Sequence, residues 1–69
     1  MVTIDFNEGF FEVKFELCRN SFNKELLKRI CSTVFETKTH VVSILKSKSF
    51  ESICAKINDF LIISSKLDL

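Results

Sequence analysis

Cysteine and histidine, the side chains that most often act as nucleophiles or metal ligands, are few in this sequence and lie far apart. Cys18, Cys31 and Cys54 form no CxxC pair, and His40 is the only histidine. Metal sites and nucleophilic dyads both need several such groups to converge. The only glycine, Gly9, cannot build the glycine-rich loops that hold phosphates. We therefore expect no enzyme activity, no metal and no cofactor.

The cysteines are best interpreted as small buried side chains of a protein kept in a reducing compartment. Their number is odd, and their spacing fits no disulfide framework. The longest apolar run, residues 60–63, is far shorter than the roughly 18 residues of a membrane span. The sequence also begins without the basic and apolar regions of a secretory signal. These features predict a cytoplasmic protein, with a reactive thiol as the alternative role for a cysteine.

One stretch of basic residues could contact a polyanion. Lys38, His40, Lys46 and Lys48 lie in a segment without acidic residues, although the formal net charge of the chain is only +1. No aromatic residue alternates with them, as it would on a surface that stacks bases. Two interpretations stay open: a strand that contacts phosphates, or a solvated strand edge whose lysines discourage unwanted pairing.

The predicted secondary structure begins with a β-hairpin. Apolar residues alternate with polar ones on both sides of a turn at residues 7–9, where Gly9 can adopt positive φ without steric cost. The alternating residues are Val2, Ile4 and Phe6 before the turn, and Phe11, Val13, Phe15 and Leu17 after it. This pattern predicts an antiparallel hairpin with one buried face.

Helical spacing of apolar residues predicts two helices with a third strand between them. The first helix is expected to begin at Asn20 or Ser21, both good N-caps, and to run for about four turns as far as Val34 and Phe35. Residues 37–46 predict a strand with apolar residues on both faces, which is typical of a central strand or of one covered by a partner. Residues 47–49 then cap a second helix with two adjacent apolar ridges.

These elements together predict a single α+β domain spanning residues 1–69. The expected order is β-β-α-β-α, with a three-stranded, mainly antiparallel sheet and both helices on one of its faces. No repeat, linker or low-complexity segment interrupts the chain, and it contains no proline.

The size of the chain bears on whether it acts alone. It has 69 residues, of which 46% are hydrophobic, and a domain this small buries only about 60% of the surface of its unfolded chain. Since disulfides and metals are disfavoured, the apolar surplus predicts a partner chain; the alternative is that the second ridge packs on the first helix. The predicted partner interface comprises Val41, Leu45, Ile53, Ile57, Asn58, Phe60, Leu61 and Ile63.

The second helix also resembles one known family. Residues 53–61 read Ile-Cys-Ala-Lys-Ile-Asn-Asp-Phe-Leu, which is similar to the C-terminal helix of the small dimer-forming subunit of the KEOPS complex. In that family the helix typically reads Leu-Arg-small-x-aliphatic-Asn-Ser-aromatic-Leu. Cys54 stands where the family usually has arginine, and Asp59 where it has serine.

The resemblance implies a non-catalytic subunit that pairs with itself or with a related small partner. Such a subunit supports the catalytic subunit of a complex that makes threonylcarbamoyladenosine in tRNA, and its contact with tRNA would be indirect. Asn58, inside an apolar stripe, would either pair with its counterpart across an interface or lie at the polar boundary of the helix.

The leading functional hypothesis is thus a non-catalytic assembly or dimerisation subunit, resembling the KEOPS small subunit or its paralogous partner. The alternative is a free-standing nucleic-acid-binding or virus-encoded regulatory domain that uses the basic residues between Lys38 and Lys48. The two differ in what they bind, since the second requires steeply salt-dependent binding to tRNA or DNA.

Overall fold

The computed structural model describes residues 1–67, which form one four-stranded antiparallel sheet and two helices. The elements are β1 (Val2–Asn7), β2 (Phe10–Cys18), α1 (Ser21–Ile30), β3 (Phe35–Glu36), β4 (His40–Ser47) and α2 (Phe50–Leu67). In space the strands follow the order β1-β2-β4-β3. The α+β class is confirmed, but the expected three strands are wrong, because β3 adds a fourth and the order becomes β-β-α-β-β-α.

The hairpin between β1 and β2 closes through a two-residue loop at the predicted turn. Glu8 and Gly9 have φ values of 54° and 82°, and positive φ at both loop positions is the signature of a type I′ turn. This turn matches the right-handed twist of the flanking strands. Gly9 adopts its conformation freely, whereas Glu8 occupies the left-handed region that side chains with a Cβ atom disfavour.

Helix α1 begins where its cap predicts but ends earlier than its apolar spacing suggests. The Asn20 side chain accepts a hydrogen bond from the Asn23 N–H at 2.7 Å, which is an N-cap interaction. At the other end, Cys31 is already extended. The predicted continuation through Val34 and Phe35 is wrong, because Phe35 pairs with β4 instead.

The extra strand depends on side chains that hold the segment after α1 in an extended path. The Ser43 hydroxyl donates to the Thr33 carbonyl at 2.7 Å, and the Lys56 ammonium donates to the Ile30 carbonyl at the end of α1, also at 2.7 Å. The Thr37 hydroxyl accepts from the His40 N–H at 2.9 Å. Residues 37–39, predicted as the start of a strand, therefore form the turn between β3 and β4.

The core lies between one face of the sheet and the two helices. Along β2 and β4 every second residue points to this face, and both helices cover it from the same side. Helix α2 begins at a serine cap, as predicted: the Ser52 N–H donates to the Ser49 hydroxyl at 3.3 Å. The buried core cluster comprises Val13, Phe15, Leu26, Leu27, Ile30, Val41, Ile53 and Phe60.

Candidate association surface

The apolar row of β1 lies on the helix side of the sheet, but no helix covers it. The β1–β2 register places Val2 beside Phe15 and Ile4 beside Val13, both of which are fully buried. Val2, Ile4 and Phe6 are nevertheless 36%, 46% and 65% exposed. Among the described residues, β1 contacts β2 and neither helix. The helix layer therefore ends over β2 and leaves the apolar side of β1 open to solvent.

The near flank of α2 continues this surface. The ring centroids of Phe6 and Phe11 lie 4.8 Å apart, and those of Phe11 and Phe50 lie 5.2 Å apart, so the Phe11 ring links Phe50 of α2 to Phe6 of β1. Leu61 follows Phe50 at helical spacing and shares that flank; both are more than half exposed. We call this surface the apolar shelf and define it as Val2, Ile4, Phe6, Phe50 and Leu61.

The edge of the sheet beside the shelf offers unpaired backbone groups. The Met1 nitrogen donates to the Glu16 carbonyl at 2.7 Å, and the Glu16 N–H donates to the Met1 carbonyl at 2.9 Å. Hydrogen-bonded and non-hydrogen-bonded pairs alternate along an antiparallel ladder. The N–H and C=O groups of Val2, Ile4 and Phe6 therefore point away from β2, where no other strand lies in the described part of the chain.

The structure divides the predicted interface residues into three groups. Val41, Ile53 and Phe60 are buried in the chain's own core, where the rings of Phe60 and Phe15 have centroids 5.0 Å apart. Leu45, Ile57 and Ile63 are partly buried and pack against that core. Asn58 and Leu61 are exposed. Of the eight residues, only Leu61 belongs to the apolar shelf.

Sequence reasoning missed the contribution of β1 to the surface, because it assigned the whole alternating face of the hairpin to the core. That face is buried on β2 only. A composition signal was present: β1 carries no lysine or proline, although natural edge strands commonly use these residues to prevent pairing. Phe50, which begins the apolar spacing of the second helix, is likewise more than half exposed.

The predicted basic stretch does not form one cluster. Lys46 and Lys48 lie near the hairpin loop: Lys46 is 3.6 Å from a Glu12 carboxylate oxygen, and Lys48 lies over the Phe10 ring, 5.3 Å from its centroid. Lys38 precedes β4 at its other end. Since a strand rises about 3.3 Å per residue, the length of β4 separates these cations, and two of them already have local partners.

The other end of β4 borders a cavity of about 480 Å³ with a mixed charge. The Lys24 ammonium lies 2.7 Å from a Glu36 carboxylate oxygen. This hydrogen bond holds the pKa of the Glu36 carboxyl below its ordinary value. His40 lies nearby, with its Nδ1 atom 2.7 Å from the Thr39 hydroxyl. The residues that line the cavity are Arg19, Asn20, Ser21, Lys24, Glu36 and Lys38.

The cysteines differ from their expected role as buried side chains. Cys18 and Cys54 are exposed, Cys31 is half-buried, and all three are free thiols. The expected burial is therefore wrong for two of them. Within residues 1–67, no group of three or more His, Cys, Asp or Glu side chains is arranged to hold a metal ion.

No helix in the described part of the chain has the length and apolar character needed to cross a membrane. Comparison with protein-family models, with curated proteins and with solved structures finds no match.

Proposed function

We propose that this protein is a non-catalytic assembly subunit that acts by binding another protein chain through the apolar shelf. The observation that carries the proposal is the uncovered apolar side of β1, joined to the exposed flank of α2. Apolar side chains that lie together on a surface, rather than singly, are typical of protein interaction sites. Phenylalanine is also among the residues enriched at the centres of interfaces.

For the assembly itself we propose a KEOPS-like tRNA-modifying complex, on the resemblance carried by α2. Several residues of the resembling segment, Asn58 and Leu61 among them, are exposed, and so can contact a partner without disturbing the core. In this role the partner is a second copy or a related small subunit, and tRNA is contacted indirectly. Co-purification of KEOPS subunits with the tagged protein from its own cells supports this assignment. If no KEOPS subunit co-purifies, this assignment is contradicted, but the broader proposal of an assembly subunit is not.

The nucleic-acid alternative has less support, because Lys38 lies far from Lys46 and Lys48, and Lys46 is close to Glu12. Neutralising several phosphates requires several basic side chains on one continuous surface. Binding to tRNA or DNA that weakens steeply with salt, and that the paired changes Lys46→Glu and Lys48→Glu abolish, would favour this alternative over the assembly role.

The test of the assembly role uses the tagged chain and a matched pair of variants. Phe6→Ser changes the shelf, whereas Phe35→Ser changes a comparably exposed phenylalanine on β3. We expect wild type and Phe35→Ser to associate, with themselves or with a co-purifying chain, and Phe6→Ser to lose that association. Light scattering after gel filtration and mass spectrometry of co-purified chains report it. A wild-type protein that is monomeric at micromolar concentration and retains no other chain would refute the proposal.

A further inference from the structure

We infer that the occupant of the shelf is a second copy of this chain, joined by antiparallel pairing of the two β1 strands with Ile4 opposite Ile4. The inference rests on the proposed function and deepens it, since it names the partner and the register. Its result is one continuous eight-stranded sheet, made from two four-stranded ones, with four helices on the same side.

On the β1 edge, the residues whose backbone groups point outward are the same residues whose apolar side chains are exposed. The outward-pointing N–H and C=O groups belong to Val2, Ile4 and Phe6, as the hydrogen-bonded pair of Met1 and Glu16 requires. These same residues carry the exposed apolar side chains of β1. Pairing through them therefore joins the two backbones and at once brings the two apolar rows together on the helix side.

Only one register uses all of these groups. With Ile4 opposite Ile4, Val2 faces Phe6 of the second copy, and the two strands exchange about six backbone hydrogen bonds. Centring the pairing on Thr3 leaves Phe6 without an apolar partner. Centring it on Asp5 sets two carboxylates directly opposite each other, which is destabilising. Registers between these would place apolar residues opposite the polar row.

Charge on the other face of the sheet favours the same register. Asp5 lies beside Glu12 in the hairpin, and the only ion-pair partner of this acidic pair in the described chain is Lys46, at 3.6 Å from Glu12. In the dimer Asp5 faces Thr3 of the second copy. Because Thr3 pairs with Lys14, the next residue in that row is a lysine, whose ammonium lies 3.4 Å from a Glu16 carboxylate oxygen of its own chain. The open side of the acidic pair is thus bordered by a cation and not by another carboxylate.

The helix side shows how the shelf would be filled. Helix α2 lies over β2 and β4, with Phe50 near Phe11 and Phe60 near Phe15 of β2. Three strand spacings, about 14 Å, would separate the two β2 strands of the dimer, whereas helices in direct contact lie about 8–10 Å apart. The space between the two α2 helices therefore needs large apolar side chains. Phe6 of each copy enters it next to Val2 and Leu61 of the other.

The two edges of the sheet also set the size of the assembly. Pairing with one second copy leaves no free hydrogen-bonding edge on β1. The opposite edge, β3, has two residues, and such a short edge offers little to a further strand. The expected product is a closed dimer and not an open fibre.

Disulfide trapping tests the register directly. Thr3 and Asp5 lie on the polar side of β1, and in the inferred dimer Thr3 faces Asp5 at a separation that a disulfide can span. Thr3→Cys and Asp5→Cys proteins are prepared separately, mixed, and oxidised mildly, with wild type as the control for the native cysteines. We expect the mixed disulfide to exceed each like-with-like product at least about tenfold, as measured by intact mass spectrometry. Predominant Thr3–Thr3 or Asp5–Asp5 products, or none above the wild-type level, would overturn the register.

A second pair of variants tests the edge itself. The Ile4 N–H points away from β2, so Ile4→Pro removes no hydrogen bond of the hairpin but blocks pairing with a second copy; Ile4→Val keeps the N–H and a β-branched side chain. We expect Ile4→Pro to be monomeric, with a folded circular dichroism spectrum, and Ile4→Val to remain dimeric. A dimer that survives Ile4→Pro refutes the inference.

The outcome for the wild type separates this inference from the proposed function. If the wild type is monomeric and yet binds a different chain through Phe6, the inference of a homodimer is refuted, whereas the proposed assembly role is retained. If it binds neither itself nor another chain, both fail.

Discussion

The two edges of this sheet are built in opposite ways. Edge strand β1 has six residues, an exposed apolar row and no contact with either helix among the described residues. Edge strand β3 has two residues, and side chains hold its surroundings: the Ser43 hydroxyl bonds to the Thr33 carbonyl, and Lys24 pairs with Glu36. A short, anchored edge strand offers few backbone groups for pairing with another chain. A longer apolar edge strand without a lysine or a bulge can pair readily. The contrast supports our proposal that β1, and not β3, is the edge used for association.

The comparison requires that the apolar row of β1 contribute little to the stability of the isolated chain. Phe15→Ala removes a fully buried ring that contacts Phe60, and we expect it to lower the free energy of unfolding by about 3–5 kcal/mol. Phe6→Ala, on the neighbouring strand, should cost less than about 1 kcal/mol, because the ring is largely exposed. Urea denaturation, at a concentration low enough to keep the chain monomeric, measures both. Equal losses would show that β1 belongs to the core.

The anchoring of the β3 edge can be tested at Ser43, which is the buried polar residue of the described chain. Ser43→Ala removes the hydroxyl that bonds to the Thr33 carbonyl, and we expect a loss of about 1 kcal/mol, typical of one hydrogen bond. Hydrogen exchange should quicken at the backbone amides of β3, and remain unchanged in β1. Thr3→Ala, an exposed hydroxyl change on β1, is the matched control and should leave both edges unaffected.

The β1 edge, by contrast, is held by its turn as well as by β2. Glu8 has a φ of 54°, a conformation that asparagine tolerates better than glutamate. We expect Glu8→Asn to raise the free energy of unfolding by up to about 1 kcal/mol, and Glu8→Val to lower it. Thermal denaturation reports both changes. A stabilising valine at this position would contradict the type I′ geometry of the loop.

The smallest effect concerns the ion pair beside β3. The pKa of Glu36 is lowered, chiefly by the hydrogen bond from Lys24, so the pair stabilises the fold when the carboxyl is ionised. That stabilisation is present above the pKa of an unfolded glutamate, and is lost as the pH falls through the lower pKa of the folded state. In Lys24→Gln the Glu36 pKa should rise toward its ordinary value, as measured by NMR titration. Lys48→Gln, near the hairpin loop, should not shift it.

Much of the local structure could be predicted from sequence, since it depends on neighbours along the chain. The turn at Gly9, the cap at Asn20 and the cap at Ser49 are set by short-range chemistry. The strand β3 could not be found in this way. Val34 and Phe35 continue the helical spacing of α1, and only the pairing of Phe35 with β4, together with the Ser43 bond to Thr33, places them outside the helix.

The candidate site shows the same division. Leu61 was predicted at an interface and lies on the shelf, whereas Val41 and Phe60, predicted there too, are buried within the chain. All three residues are apolar, and the spacing of apolar residues indicates only which of them share a face of an element. Whether another element covers that face is decided by where the helices pack, and periodicity carries no information about this.

The sequence alone therefore determined the α+β class, the hairpin and its turn, and the starts of both helices, because propensity, capping and alternation act over a few residues. The number of strands in the sheet, and the choice of apolar residues that remain outside the core, depend instead on long-range packing. The helix layer covers β2 and β4 but stops short of β1. The same alternating pattern consequently builds a core on one strand of the hairpin and an open surface on the other.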